Sequence, residues 1–378
     1  MRILQVNPYP PQHLGGSEIF CRNLSINLSQ RGHLSTDILT SDIFRQNKKK
    51  SLLKKDINVY YQKFLHNLWG VNPLVNITPF LKKYYKNYDL IHAHSYIFFT
   101  SFQIALLRKL RKFPFILHLH GGIKTPSSMS YNFQEYTQLT LKNLIFDKTI
   151  GKFTIKNADT IISVSKRDIK LIKKLYDVPD EKCYYVPNGV NIEKFQRRNH
   201  TVRQYITFIG RLTYIKGFDI FLDVIKNIHQ KDKNIKFLVI GDGPLEAELH
   251  QLQKKLPITY YPNYPYLNME QIYNMSKVLM ITSRFEGLPT IILESLACET
   301  PVITSNVGGI SELIESSHNG FFVNFKNTDN SVDKILDVIH DDEKLKKMGI
   351  HGREIIKKNY SWEKITNKIL EIYESVVS

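Results

Sequence analysis

Short runs of β-branched and other apolar residues alternate with stretches whose apolar positions recur at helical spacing, from one end of the 378-residue chain to the other. That rhythm predicts βα units and parallel sheets. In the first half the expected strands are Ile3–Asn7, Ser35–Leu39, Asp89–His92, Phe115–His118, Thr160–Val164 and Cys183–Val186. Helices fall between them, among them Ser17–Gln30 and Tyr131–Ile155, and Ser165 is placed to cap a basic helix ending near Tyr176. Pro187-Asn188-Gly189 closes this half, and the polar stretch Glu193–Arg203 reads as a linker. The pattern then restarts with strands Tyr205–Gly210, Lys236–Ile240, Ile258–Tyr261, Val278–Ile281, Pro301–Thr304 and Gly320–Val323. Helices Asp219–His229, Leu245–Leu256 and Asn268–Met275 lie among them, and two more precede a last one, Trp362–Val377. The economical reading is two tandem doubly wound α/β domains, residues 1–190 and 191–360, followed by a closing segment, 361–378. Ligands in such domains lie beyond the carboxyl ends of the strands, and two such ends facing each other form a cleft.

Charge adds a direction to this picture. Residues 1–190 hold 28 Lys/Arg against 12 Asp/Glu, whereas residues 191–378 hold 24 against 23. The excess gathers in Lys48-Lys49-Lys50, Lys54-Lys55, Lys82-Lys83, Arg108-Lys109 with Arg111-Lys112, and Lys166-Arg167 with Lys170, Lys173 and Lys174. A field of one sign on one domain suits a polyanionic partner, an anionic membrane surface or nucleic acid, although solvated helix faces are the plainer account. Cys21, Cys183 and Cys298 are odd in number and far apart, which indicates neither a disulfide framework nor a zinc site. No apolar run approaches the ~20 residues of a membrane span. The first residues lack the apolar core of a secretion signal, so a cytoplasmic protein is expected.

The candidate chemistry sits at strand ends. The stretch Ser283 to Cys298 carries Glu286, Gly287, Leu288 and Pro289 on a loop that runs into an apolar helix interrupted by one acid, Glu294. Unpaired N–H groups make such a junction a seat for phosphate, and a carboxylate one turn inside suits vicinal hydroxyls. A surface loop and a helix with a water-facing acid is the competing account. Gly15-Gly16 at a helix start lets bare backbone meet a diphosphate, or is a structural turn. Arg211 leaves the strand ending at Gly210, and Lys216 follows; two cations at one strand end neutralise a diphosphate, unless they are only surface charge. Gly241-Asp242-Gly243-Pro244 is a tight turn into a helix. His92 and His94, then His118 and His120, mark two further strand ends. His92 and His118 alternate with apolar positions and suit burial, whereas His120 precedes Gly121-Gly122 and is the better candidate for a sugar contact. Pairs two residues apart on separate strands are a poor metal signature.

Taken in order, these motifs resemble the retaining nucleotide-sugar glycosyltransferases of family four. Gly15-Gly16, His120-Gly121, Val186 to Val190, Gly210-Arg211 with Lys216-Gly217, Gly241 to Pro244, Glu286 with Glu294, Pro301 to Ile303, and Gly308-Gly309 with Glu312 follow the family's sequence of motifs. The resemblance implies the GT-B fold, two Rossmann-like domains facing across a cleft, with a last helix crossing back to the first domain. It implies donor-diphosphate contacts from Arg211, Lys216 and the Gly16 N–H, ribose contacts from Glu294, and donor-sugar contacts from Glu286 and His120. Gly15, Asn188, Gly210, Gly241, Asn263, Tyr264, Gly287, Leu288 and Pro289 complete the implied donor site. Pro262-Asn263-Tyr264-Pro265 departs from the apolar-Gly segment usual near the base, and Arg284 and Phe285 stand where the sugar is selected. The resemblance further implies a UDP-linked donor, no metal and no other cofactor. It implies a glycan or lipid-linked acceptor in surface polysaccharide synthesis, and an anionic inner membrane face met by the basic first domain. A nucleotide-sugar epimerase of the same architecture is the alternative. A nucleic-acid-binding protein is a remote one, because no recognised nucleic-acid motif accompanies the charge.

Overall fold

The structure, a computed structural model, describes the chain except residues 14, 45–49, 55, 69–71, 127–132, 199–200, 326–327 and 378; of residues 50, 68, 135, 328 and 329 only the backbone is described. Lys48, Lys49 and Lys55 of the basic clusters, Tyr131 at the start of an expected helix, and Asn199 and His200 of the expected linker lie outside the described residues. The chain divides into two compact units. Met1–Thr125, Thr137–Asn188 and Trp362–Ser378 form the first, and Pro126–Tyr136 with Gly189–Ser361 the second.

The first unit is built on an eight-stranded sheet. Its strands are β1 (Arg2–Val6), β2 (Ser35–Ser41), β3 (Lys50–Lys54), β4 (Ile57–Gln62), β7 (Leu90–His94), β8 (Phe115–Leu119), β9 (Thr160–Ser163) and β10 (Cys183–Tyr185), in the order β10-β9-β8-β7-β1-β2-β4-β3. All neighbours are parallel except β3 and β4. β5 (Phe64–Leu68) and β6 (Asn72–Val75) form a separate antiparallel pair. Helices cover both faces, which is why β7 and β8 read as unbroken buried runs. Alternation assigns the faces. Leu4, Ile91, Ala93, Phe115 and Leu117 pack into one core with Ile104 and Ile155. Ile3, Leu90 and Ile116 face the other way, toward Phe20 and Leu24 of helix Gly16–Ser29 and Trp362, Ile365, Ile369 and Tyr373 of the last helix. The last sixteen-residue helix is thereby a wall of the first unit, and each large side chain it buries stabilises that unit by roughly 1.5–3 kcal/mol.

β3 to β6 are elements the apolar pattern did not predict. In β4 the signal is a two-residue period, with Ile57, Val59 and Tyr61 buried and Asn58, Tyr60 and Gln62 half-buried, set beside a lysine-rich stretch that read as charge. The single helix expected over Tyr131–Ile155 is three pieces: Phe133–Leu141, a π-helical stretch Lys142–Gly151, and Lys152–Lys156. Lys142 reaches the Asp147 carboxylate at 3.0 Å and the Tyr96 hydroxyl at 2.8 Å across the wide turns. Ser165 takes the N-cap position of helix Lys166–Tyr176 in extended conformation.

The second unit has a six-stranded, wholly parallel sheet of order β13-β12-β11-β14-β15-β16. The strands are β11 (Tyr205–Ile209), β12 (Lys236–Ile240), β13 (Ile258–Tyr261), β14 (Ser276–Ile281), β15 (Val302–Thr304) and β16 (Gly320–Phe322). Strand order reverses between β11 and β14, the topological switch point at which open α/β sheets take ligands.

Candidate functional site

The second unit gathers its predicted residues at the carboxyl ends of β11 and β14. Gly210 and Gly241 end β11 and β12 so close together that a Cβ on Gly241 would collide with the Gly210 carbonyl, and Gly241 also holds φ +121°. The bare backbone there serves strand packing first. Beyond Gly210, Arg211 is exposed and pairs with no carboxylate among the described residues. Lys216 is already engaged: its Nζ donates to Glu286 Oε1 and Oε2 at 2.8 and 2.9 Å, and Ser283 Oγ donates to the same carboxylate at 2.6 Å. Glu286 is 8 % exposed, so the pair is shielded on its acid side and half-open on its lysine side. The loop carrying Glu286 is fixed from behind, because the Gly309 N–H donates to the Gly287 carbonyl at 2.8 Å and only glycine fits at Gly308 against the Glu286 carbonyl. Leu288 is buried beneath the loop, and Pro289 takes the position just before helix Thr290–Ala297.

Glu294 does not face water. It is 5 % exposed, and its two oxygens accept hydrogen bonds from Tyr266 Oη at 2.8 Å and Tyr273 Oη at 2.6 Å. Burial raises its pKa above the ordinary carboxylate value, opposed by the two phenol hydrogen bonds and the nearby Lys194 ammonium. Lys194 lies 4.1 Å above the Tyr266 ring and donates to its carbonyl at 2.7 Å, which holds that tyrosine in place. A carboxylate has about four lone-pair sites, so the two phenols leave room for two further donors. Asn263 is exposed after β13, and Tyr264 packs edge-on against the exposed Tyr261 at 5.5 Å while donating to Gln271 at 3.1 Å. Arg284 is occupied elsewhere. It forms a bidentate pair with Asp219 at 2.6 and 2.7 Å, donates to the Tyr214 carbonyl, and lies 3.6 Å over the Tyr214 ring. A cavity of about 920 Å³ opens beside it, lined by Tyr214, Ser305, Val307, Phe322 and Phe325, and meets the Lys216–Glu286 network only at Ser283.

Of the expected site residues, Gly15, Gly16, His120 and Asn188 lie in the first unit. Gly15 stands just before helix Gly16–Ser29 in extended conformation, and the buried Glu18 carboxylate folds back so closely that a Cβ on Gly15 would strike it. A Cβ on Gly16 would meet nothing within 4 Å, so the open approach lies at Gly16. Asn188 is buried where the first unit gives way to the second.

His92, His94, His118 and His120 all lie on the face that continues from Leu90 and Ile116 toward the last helix, as the two-residue period requires. Their rings stack: His118 on His120 at 4.4 Å, His92 on His94 at 4.6 Å, His94 on His120 at 5.2 Å and His92 on His118 at 5.3 Å. Burial pushes the His92 and His120 imidazoles down to about 3, and His94 and His118 well below their ordinary value, so all four are neutral at physiological pH. Nitrogens of His92, His94 and His118 lie within 4.8 Å of one another. Sequence reasoning missed Gln5, Tyr373, Ser283, Tyr266 and Tyr273, which hold these groups. Each looked like an ordinary polar or aromatic position in its element.

Two family models cover this architecture: "Glycosyltransferase Family 4" matches residues 14–194 and "Glycosyl transferases group 1" residues 190–355. The chain belongs to the family-four glycosyltransferases of GT-B type, and is a glycosyltransferase. It is 28 % identical to an uncharacterized glycosyltransferase of Methanocaldococcus jannaschii, over 100 % of this chain and 99 % of that one. It is 27 % identical to the UDP-Gal:alpha-D-GlcNAc-diphosphoundecaprenol alpha-1,3-galactosyltransferase of Escherichia coli, over 80 % of this chain and 79 % of that one. Anabaena HepE, solved with UDP and glucose, superposes with a TM-score of 0.77 at 19 % identity, covering 99 % of this chain and 100 % of that one.

Proposed function

We propose that the protein transfers a sugar from a UDP-sugar to a hydroxyl of a glycan or lipid-linked acceptor, with retention at the anomeric carbon and without a metal. The observation that carries this reading is the Lys216–Glu286–Ser283 network in the segment that follows the same strand end as the exposed Arg211, which pairs with no carboxylate among the described residues. It supplies cations where a diphosphate leaves and a carboxylate to orient one of them. Glu294, with two lone-pair sites still open, takes the ribose hydroxyls, and Tyr261 with Tyr264 offers an aromatic surface to the base. UDP and a lipid-linked acceptor belong to the E. coli relative, and UDP to HepE.

In this mechanism the acceptor oxygen bonds to the anomeric carbon on the face from which the diphosphate departs. The sugar–phosphate C–O bond breaks with its electron pair going to the phosphate oxygen, and that oxygen takes the acceptor proton. Arg211, Lys216 and the Gly16 N–H stabilise the growing negative charge, and one such donor is worth on the order of 3–4 kcal/mol. His120 receives a donor-sugar hydroxyl. No protein nucleophile is required.

The acceptor side of the reading is membrane-linked. Helix Lys166–Tyr176 exposes Lys166, Arg167, Lys170, Lys174 and Leu175, and helix Phe99–Leu110 exposes Leu106, Lys109 and Leu110. Basic side chains near an anionic surface contribute roughly 1 kcal/mol each. No helix among the described residues is long and apolar enough to cross a membrane. The test is a panel of nucleotide sugars scored for thermal stabilisation and for slow hydrolysis, with and without EDTA. A UDP-sugar should stabilise the protein and be consumed in EDTA, and failure of every UDP-sugar overturns the reading. Sedimentation with anionic vesicles at low salt tests the membrane part, which falls if the protein stays in solution.

A further inference from the structure

Five polar side chains of the first unit form one hydrogen-bonded line. His92 Nδ1 meets Tyr373 Oη at 2.5 Å, and Gln5 Nε2 donates to the same hydroxyl at 3.1 Å. Gln5 Oε1 meets His94 Nε2 at 2.8 Å, and His94 Nδ1 meets His120 Nε2 at 2.9 Å. Gln5, His92, His94 and Tyr373 are fully buried, and Phe20 packs against the His94 and His120 rings, with Trp362 behind it. His92 Nε2 and His120 Nδ1, the two end atoms, are buried and meet no hydrogen-bond partner among the described residues.

A line of this kind has a direction, because a neutral imidazole carries one proton and an amide oxygen only accepts. Gln5 accepts at Oε1, so His94 bears its proton on Nε2 and its Nδ1 is an acceptor. His120 must then donate from Nε2, which strips the proton from its Nδ1. At the other end the Tyr373 hydroxyl, having accepted from Gln5, donates to His92. The position that decides all of this is Gln5, in the middle of the first strand.

We infer that Gln5 and His94 are positioning residues that hold His120 in the Nε2–H tautomer, so that its Nδ1 is a bare, neutral acceptor for a sugar hydroxyl of the bound donor. The inference rests on the proposed transfer from a nucleotide sugar. It goes beyond that reading in fixing which proton His120 carries and which residues fix it. The site then selects a group that donates a hydrogen bond to His120, a hydroxyl, and rejects a carboxylate or phosphate oxygen at that point.

The test is ¹⁵N NMR of the full chain with labelled histidine, His120 being assigned by loss of its signal in His120→Gln. Free wild-type protein should show His120 neutral, with Nε2 protonated and Nδ1 bare. A proton on Nδ1 overturns the inference without any variant. Gln5→Leu should mix the His120 tautomers and lower kcat with the preferred UDP-sugar about tenfold, with donor KM little changed. His94→Leu should match it. His94→Asn should restore both the tautomer and most of kcat, because its amide oxygen stands where Nδ1 accepted from His120. Unchanged tautomer and turnover in Gln5→Leu overturn the inference. If His120 has the expected tautomer but wild-type protein consumes no nucleotide sugar, the transfer reading falls and the relay stands. If sugar is transferred and His120 carries its proton on Nδ1, the relay falls and the transfer reading stands.

Discussion

The two units hold polar groups at the ends of their strands by opposite means. The first packs neutral imidazoles together beneath the Phe20 ring and removes charge by burial. The second keeps charge: Lys216 with Glu286, an exposed Arg211, and a buried Glu294 made tolerable by two phenols. A low-dielectric pocket of neutral acceptors recognises hydroxyls and repels nothing, whereas fixed cations beside a strand end attract a diphosphate. Both units are open α/β sheets, so the difference between them lies in side chains rather than in topology.

The sharpest way to break this contrast is to remove the charge. Lys216→Ala should lower kcat by about 10²–10³, the loss typical of one charge-stabilising donor; a near-wild-type rate in a steady-state assay would remove Lys216 from catalysis. The second way is pH. The folded-state values of His92, His94, His118 and His120 lie below the ordinary 6.5, so below that pH the unfolded chain takes up protons that the fold refuses at these four rings. Stability should therefore fall as pH drops from 6.5 toward about 3, by up to roughly 1.4 kcal/mol per pH unit for each histidine. Trp362 belongs to the first unit, so its fluorescence in urea titrations of a Trp69→Phe background reads that unit. His118→Phe should flatten the slope. Glu294 has the opposite sign: its raised pKa gives stability that is complete below 4.5 and lost as pH rises through the folded value.

Smaller effects sharpen the comparison further. Glu294→Gln keeps the shape but offers one acceptor to two phenols, so donor Kd should rise about tenfold and stability fall by about 1–3 kcal/mol, read by calorimetry and thermal melts. The smallest change is expected from Asp219→Asn. The partly exposed Arg284 pair is worth at most about 1 kcal/mol, a few degrees in Tm, and donor preference should not move. A changed sugar preference would return Arg284 to the site.

Most of the frame was legible because buried parallel strands leave continuous apolar runs, and strand-end motifs stand out against them. Glu286, Lys216 and Arg211 were found by position at strand ends. Their pairing was not, because an ion pair across seventy residues has no local signature. Glu294 looked as much like a water-facing acid as a buried one, since Tyr266 and Tyr273 reach it from another loop and helix. Gln5 was hidden for a different reason. One polar residue in Ile3–Val6 resembles the solvent side of a strand, and only the arrival of Tyr373 from the far end of the chain makes it interior. β4 was missed although its alternation was present, because its flanking lysines drew the reading toward surface charge.

The last helix ties the order of synthesis to the order of assembly. Trp362, Ile365, Ile369 and Tyr373 complete one face of the first sheet, yet they leave the ribosome after every residue of the second unit. The domain translated first therefore waits with an open apolar flank while its successor folds, and becomes complete only when the final residues dock. A nascent chain stopped before residue 362 should display a folded second unit and an adhesive first one.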